Sequence, residues 1–317
     1  MHRLTEALRD AGCVFAEEEA AILLEAALQG DTVSEDSGQS RLKALAARRI
    51  SGEPLEHIVG WVDFAGLRLN VRPGVFVPRQ RTRLLAFHSE RTVRAVSDRR
   101  GAGRPAPVLV EGFCGAGPVG SFVAASVPGV RICVGDAQDE AVEAAVANVH
   151  QAAGASPAAG TTVDGHRLNC LRGLPQELRR GVDVIAAVPP YVPDTASDFL
   201  PREAVDCEPS SALFGGPDGL DLVRRLIDES VDWLRPEGTL LIELGREQAP
   251  TALAHAAGRG LAGQGRLGED EQTVVVELRQ AASGRPSGSA ARPSGVAARP
   301  DADTACPTRD GISSRRR

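Results

Sequence analysis

Val108-Leu109-Val110-Glu111-Gly112-Phe113-Cys114-Gly115-Ala116-Gly117-Pro118-Val119-Gly120 is the stretch on which the fold turns. Its opening apolar residues read as a short buried strand and its glycines as a turn. A helix is expected to follow near 118–127. The spacing Gly115-x-Gly117-x-x-Gly120, after a strand and before a helix, lets backbone approach a ligand closely and points first-turn amides at it. An acid, Asp136, follows at the end of the next apolar run, Val130 to Val134, where a carboxylate can accept both hydroxyls of a ribose. Alone, the glycines suit a tight turn equally well, and Asp136 suits a helix cap. Strand, glycines, helix and spaced acid together favour an adenosine-containing cofactor, either a nicotinamide dinucleotide or S-adenosylmethionine. The spacing does not separate the two.

Downstream, apolar runs at Val182 to Ala187 and Thr239 to Glu243 alternate with helical patterns near 138–150, 219–234 and 247–258. Short strands buried on both faces and separated by helices mean a parallel α/β sheet. A last run, Thr273 to Leu278, has no helix after it and is expected to close the sheet as an antiparallel strand. Two features bear on the ligand. Glu111, at the carboxyl edge of the first strand, suits a cationic amino-acid group and is out of place beside a pyrophosphate. Val188-Pro189-Pro190-Tyr191 puts a rigid turn and an aromatic at the carboxyl end of a central strand, where open α/β sheets bind ligands. Prolines that only end a strand, with a tyrosine that only packs, are the plainer alternative.

Upstream, the first fifty residues read as three short helices. Leu4 and Leu8 mark one stripe, Ala21, Leu24 and Leu28 a second, and Leu42, Leu45 and Ala46 a third. Breaks fall at Gly30-Asp31 and at Gly52 with Pro54. Then Leu67, Leu69 and Val71 alternate with Arg68, Asn70 and Arg72 behind Gly66, a hairpin arm following His57 to Phe64. After Gln280 the chain is rich in Gly, Pro, Ser and Ala, with almost no large apolar residue, and is expected to be disordered.

Charge and composition exclude several classes. The stretch after Gln280 holds seven Arg against three Asp, so a net charge of -6 overall leaves residues 1–280 near -10. An acidic body disfavours nonspecific nucleic-acid binding. No apolar run reaches the roughly 18–20 residues of a membrane span, and MHRLTEALRD lacks the apolar core of a signal peptide. Cys13, Cys114, Cys133, Cys170, Cys207 and Cys306 contain no C-x-x-C pair, which argues for thiols in a reducing cytoplasm and against a disulfide scaffold or a metal site.

From about Ala46 to Leu278 the chain resembles the HemK-type family of protein N5-glutamine methyltransferases. The resemblance rests on separate motifs: Arg48-Arg49-Ile50-Ser51-Gly52-Glu53-Pro54-Leu55-Glu56-His57-Ile58-Val59-Gly60, then Pro73-Gly74-Val75-Phe76-Val77-Pro78-Arg79, then Glu208-Pro209 followed by Ala212-Leu213-Phe214-Gly215-Gly216-Pro217-Asp218-Gly219-Leu220-Asp221. It implies a small helical N-terminal recognition domain with a β-hairpin arm (residues 1–82), a Rossmann-like seven-stranded α/β methyltransferase domain (83–280), and a tail (281–317) outside the match. It further implies S-adenosylmethionine as methyl donor and a peptide chain release factor, modified at its Gly-Gly-Gln glutamine, as partner. By resemblance, Glu111, Gly112, Cys114, Gly115, Gly117, Asp136 and Asn169 bind the cofactor, and Val188, Pro189, Pro190 and Tyr191 hold the acceptor.

This chain departs from the family pattern at named positions. The family tetrapeptide is Asn-Pro-Pro-Tyr or Asn-Ala-Pro-Tyr, and Val188 stands at the asparagine. Glu111 replaces an Asp, Asn169 an acid, and Arg83 a Glu. Asn169 retains a carbonyl oxygen for an adenine amino group. Val188 keeps open a relative that holds cofactor or partner without catalysis, and a methyltransferase for another acceptor. The glycine spacing alone also permits a nicotinamide dehydrogenase.

Overall fold

The computed structural model describes residues 2–29, 35–101, 103–154, 160–199, 209 and 212–280. The break at Gly30-Asp31, Glu208, Cys207, Cys306 and the stretch after Gln280 lie outside the described residues.

Three helices open the chain, α1 (His2–Asp10), α2 (Ala16–Leu28) and α3 (Glu35–Ile50), followed by the short α4 (Leu55–Val59). Leu8, Ala16, Ala20, Leu23 and Ile58 form their shared core, with Leu4, Leu42 and Leu45 packed against it. The buried face of α2 differs from the expected stripe. It runs through Ala16, Ala20, Leu23, Ala26 and Ala27, while Leu28 is 60% exposed. Nearly every residue of AAILLEAAL is apolar, so the run fits several helical stripes, and packing against α1 and α3 selects among them. Arg49 on α3 adds a largely buried ion pair to Glu19 on α2 at 2.6 Å.

The hairpin arm follows as β1 (Trp61–Phe64) and β2 (Leu67–Asn70), antiparallel, with Ala65 and Gly66 both at positive φ in the turn. Asn148 fastens this arm to the domain that follows. Its amide donates to the carbonyls of Asn70 and Ala116, at 2.9 Å each, and accepts from the Asn70 backbone N–H at 2.8 Å.

The second domain is a seven-stranded sheet in the order β5-β4-β3-β6-β7-β9-β8. Its strands are β3 (Val108–Gly112), β4 (Arg131–Asp136), β5 (Thr162–Arg167), β6 (Val182–Ala187), β7 (Leu234–Gly245), β8 (Leu261–Leu267) and β9 (Thr273–Gln280). β3 to β7 pair in parallel, while β9 pairs antiparallel with both β7 and β8. Helices α5 (Arg83–Arg100), α6 (Pro118–Ser126) and α7 (Asp139–Gly154), and later α8 (Asp221–Trp233) and α9 (Ala249–Gly258), connect and cover the strands. Residues alternate between two cores. Leu109, Ile132, Val134, Val184, Ala186 and Leu241 pack with α5–α7. Val110, Cys133, Ile185, Ala187, Leu240 and Ile242 pack with α8 and α9.

Three elements lay outside the sequence patterns. α5 buries Leu85, Ala86, Ser89, Val93 and Val96 at helical spacing between many charges. β5 is an edge strand with no fully buried residue. β8 is the opposite edge, interrupted by Gly263 and Gly265. The run from Thr273 is antiparallel as expected, yet it lies inside the sheet, and β8 provides the edge it was expected to form.

Candidate active site

The strand order fixes where a ligand can sit. From β3 the chain steps outward to β4 and β5, then crosses back to β6 on the other side of β3. Such a reversal opens a crevice at the carboxyl ends of the strands. A cavity of about 550 Å³ occupies it, reached by Gly115 after β3, Gly135 and Asp136 at the end of β4, Asn169 after β5, Val188 to Tyr191 after β6 and Glu243 from β7.

The glycines divide by task. Gly115, at φ +49, lines the cavity beneath the carbonyl of Phe76. Gly117, at φ +70, lines no part of it; a Cβ there would lie 2.8 Å from that of Ala145, so this glycine serves helix packing. Gly120 likewise leaves room for Glu111 and Val149. Glu111, Gly112 and Cys114 line a small adjoining pocket of about 40 Å³ that also touches Val188.

Glu111 is buried, and both its oxygens face the first turn of α6, accepting from Val119 N–H at 3.0 Å and Gly120 N–H at 2.7 Å. Burial pushes its carboxyl up to about 7, against those two hydrogen bonds. The carboxylate expected to meet a cationic ligand group is therefore partly committed to the helix N-terminus. Asp136 accepts from Gly115 N–H at 3.0 Å and Gln138 N–H at 3.2 Å, and burial raises its carboxyl above the usual range. Asn169 presents a different arrangement from the one expected. Its side-chain oxygen already accepts from Arg225 at 2.6 Å, and its backbone carbonyl from the same guanidinium at 2.6 Å, so the amide N–H groups are its freer face.

Val188, Pro189, Pro190 and Tyr191 all line the cavity. Consecutive prolines leave no backbone donor at 189 or 190, so those two positions offer carbonyl acceptors only. Its position is held from behind by glycines whose purpose composition did not reveal. A Cβ at Gly215 would lie 2.3 Å from the Pro190 carbonyl oxygen, and one at Gly219, at φ +75, would lie 2.1 Å from that of Tyr191. Gln248 donates to the Tyr191 carbonyl at 2.8 Å. The phenol of Tyr191 is largely buried, which raises its titration, and the Arg81 guanidinium lies 6.0 Å from its ring centre.

Glu243, Asn148 and Gln248 carry no motif that marks them in the sequence. Glu243 had one available signal, an acid ending an apolar strand. It is 1% exposed, with burial pushing its carboxyl up to about 7 while Thr82 and Arg81 oppose the shift. Among the described residues no group of three or more His, Cys, Asp or Glu is arranged to hold a metal, and no helix is long and apolar enough to cross a membrane.

Residues 1–60 match the family described as PrmC N-terminal domain. Most of the chain is similar to proteins named release factor glutamine methyltransferase. That of Streptomyces coelicolor is 33% identical over 244 residues, 75% of this chain and 81% of that protein. That of Moorella thermoacetica is 34% identical, over 67% of this chain and 69% of its own. The Bifidobacterium longum protein is 29% identical over 87% of this chain and 98% of its own length.

Proposed function

The chain belongs to the release factor glutamine methyltransferase family, and we propose that it transfers a methyl group from S-adenosylmethionine to the side-chain amide nitrogen of a glutamine, in the Gly-Gly-Gln motif of a cytoplasmic peptide chain release factor. The observation that carries this reading is the meeting, in one cavity, of Asp136 and Asn169 from one side of β3 with the Val188-Pro189-Pro190-Tyr191 turn from the other.

The residues present fit the donor. Asp136 keeps lone pairs for ribose hydroxyls, Asn169 keeps amide donors for a base, and Ala141, Leu168 and Leu222 supply apolar wall for an adenine ring. Glu111, Gly112 and Cys114 flank the small pocket beside it, where an amino-acid end would lie. When bound, S-adenosylmethionine supplies an electrophilic methyl on a sulfonium. The chain's own residues then have to orient an amide. Pro189 offers its carbonyl to one amide N–H, and Tyr191 closes the wall. Holding the nitrogen in line with the methyl is most of what such a transfer requires.

A second reading, a relative that binds without catalysis, is favoured by Val188 alone, since an isopropyl group accepts no hydrogen bond. Calorimetric titration with S-adenosylmethionine, followed by turnover on the same sample with a release factor, separates the two. Binding with turnover supports methyl transfer. Binding without turnover supports the second reading, and binding of NAD in place of S-adenosylmethionine overturns both.

A further inference from the structure

An amide presented to a methyl donor has two N–H bonds to place while its nitrogen faces the methyl. The Pro189 carbonyl can take one, and Val188 cannot take the other. Beside Val188 stands a group that can. β6 and β7 pair in parallel with Ala187 opposite Ile242, so the next positions, Val188 and Glu243, lie side by side. Both line the cavity. They share a face of the sheet, the one on which Val184, Ala186, Val188 and Leu241 pack together.

The carboxylate of Glu243 is only half used. Thr82 and Arg81 stand beside it and favour its ionised form, with Arg81 Nε 3.7 Å from Oε1. Oε2 is buried and has no hydrogen-bond partner among the described residues. A buried carboxylate oxygen without a partner costs stability, so its retention in the wall of a ligand cavity points to a donor arriving from the ligand. The ligand class that supplies an N–H here is the acceptor amide.

We propose that Glu243 is a catalytic residue of this site: Oε2 accepts the second amide N–H of the acceptor in place of a side chain at position 188, and takes the proton that leaves nitrogen. This rests on the reading that the acceptor is a glutamine amide. In the balanced step, the nitrogen lone pair forms the N–C bond to the methyl carbon, and the C–S bond of the donor breaks with its electron pair retained on sulfur. The nitrogen gives one proton to the carboxylate, which returns it to solvent. The product is the N-methyl amide with a neutral thioether. Groups facing Glu243 are Arg81 and Thr82 from the turn before α5, Tyr191 from the segment after β6, and Asp270 from the turn before β9. Of the charged ones, Arg81 favours the ionised form and Asp270 opposes it.

The test measures transfer of labelled methyl to a release factor from about pH 5 to about pH 9, with the intact protein and with Glu243→Gln and Glu243→Asp. The expected wild-type rate rises with pH and levels off near the carboxyl's own value of about 7. Glu243→Gln lowers kcat by roughly 100-fold or more and loses that inflection, with donor affinity unchanged. Glu243→Asp keeps the inflection at a reduced rate. A second readout needs no donor. In infrared difference spectra of wild type against Glu243→Gln, added release factor moves the Glu243 carboxyl titration downward, because an N–H donor favours the ionised form. Glutamine labelling by wild type with the same kcat and inflection in Glu243→Gln overturns the proposal and leaves glutamine methylation standing. Donor binding with no glutamine labelled by wild type overturns glutamine methylation, and this proposal with it.

Discussion

Glu243 and Val188 occupy neighbouring positions at the open ends of two parallel strands, one step past the Ala187–Ile242 pair, an acid beside an isopropyl group in the wall of one cavity. In the proposed complex the pairing would offer an acceptor oxygen from β7 at the place where the resemblance puts an asparagine side chain after β6.

Because Glu243 already takes the second amide N–H, an asparagine at 188 should add little in its presence and matter only in its absence. Val188→Asn is expected to change kcat by less than about tenfold in wild type but to raise that of Glu243→Gln by about tenfold or more, since one orienting hydrogen bond in such a site is worth roughly 2–4 kcal/mol when nothing replaces it. Val188 packs against the core, so the same change should cost about 1 kcal/mol of stability. Steady-state kinetics and denaturant unfolding check the two effects separately.

Glu243 also makes stability depend on pH. Its carboxyl titrates at about 7 in the fold against an ordinary 4.5, so between those values the folded state holds a proton that the unfolded state has lost. Stability from this group is full below about 4.5 and falls as pH rises toward 7, by about 3 kcal/mol in all. Glu243→Gln should unfold at a higher denaturant concentration than wild type at about pH 8, and at nearly the same concentration at about pH 5. Wild type and variant running parallel across that range would show that Glu243 does not titrate as a buried carboxylate.

Gly219 tests the turn proposed to hold the acceptor. An alanine there meets a left-handed φ of +75 and a carbonyl oxygen 2.1 Å away on Tyr191. Gly219→Ala should cost about 1–3 kcal/mol of stability and displace Tyr191, lowering kcat on the order of 100-fold. Donor affinity should hold, because Asp136 and Asn169 lie on the other side of β3.

Asp136 tests the donor side. Asp136→Ala removes a carboxylate that lines the cavity and accepts from the glycine turn. Calorimetry should show S-adenosylmethionine bound roughly 10- to 100-fold more weakly, the range for losing hydrogen bonds to a charged group. An unchanged affinity would place the ribose elsewhere.

Much of this was legible in the sequence, and the exceptions share a cause. Buried parallel strands such as Val182–Ala187 announce themselves as apolar runs, and the turn from Gly115 to Pro118 by its residue types. The edge strands β5 and β8 have too few buried positions to leave a pattern. α5 dilutes its apolar stripe with arginines. Spacing groups Gly117 with Gly115 as a cofactor glycine, since it does not record which neighbour a Cβ would strike. Only the fold shows that neighbour to be Ala145. Glu243 was legible only as the end of a strand. Its meaning depends on which residue lies beside it in the sheet, and that register is a tertiary fact.

Methyl transfer to glutamine is read out by incubating the protein with isotopically labelled S-adenosylmethionine and a release factor, then locating the label by peptide mass spectrometry. The expected result is one added methyl on the side-chain amide of the Gly-Gly-Gln glutamine, formed by wild type and lost with Glu243→Gln. Full occupancy of the donor site with no methyl on that glutamine would contradict it.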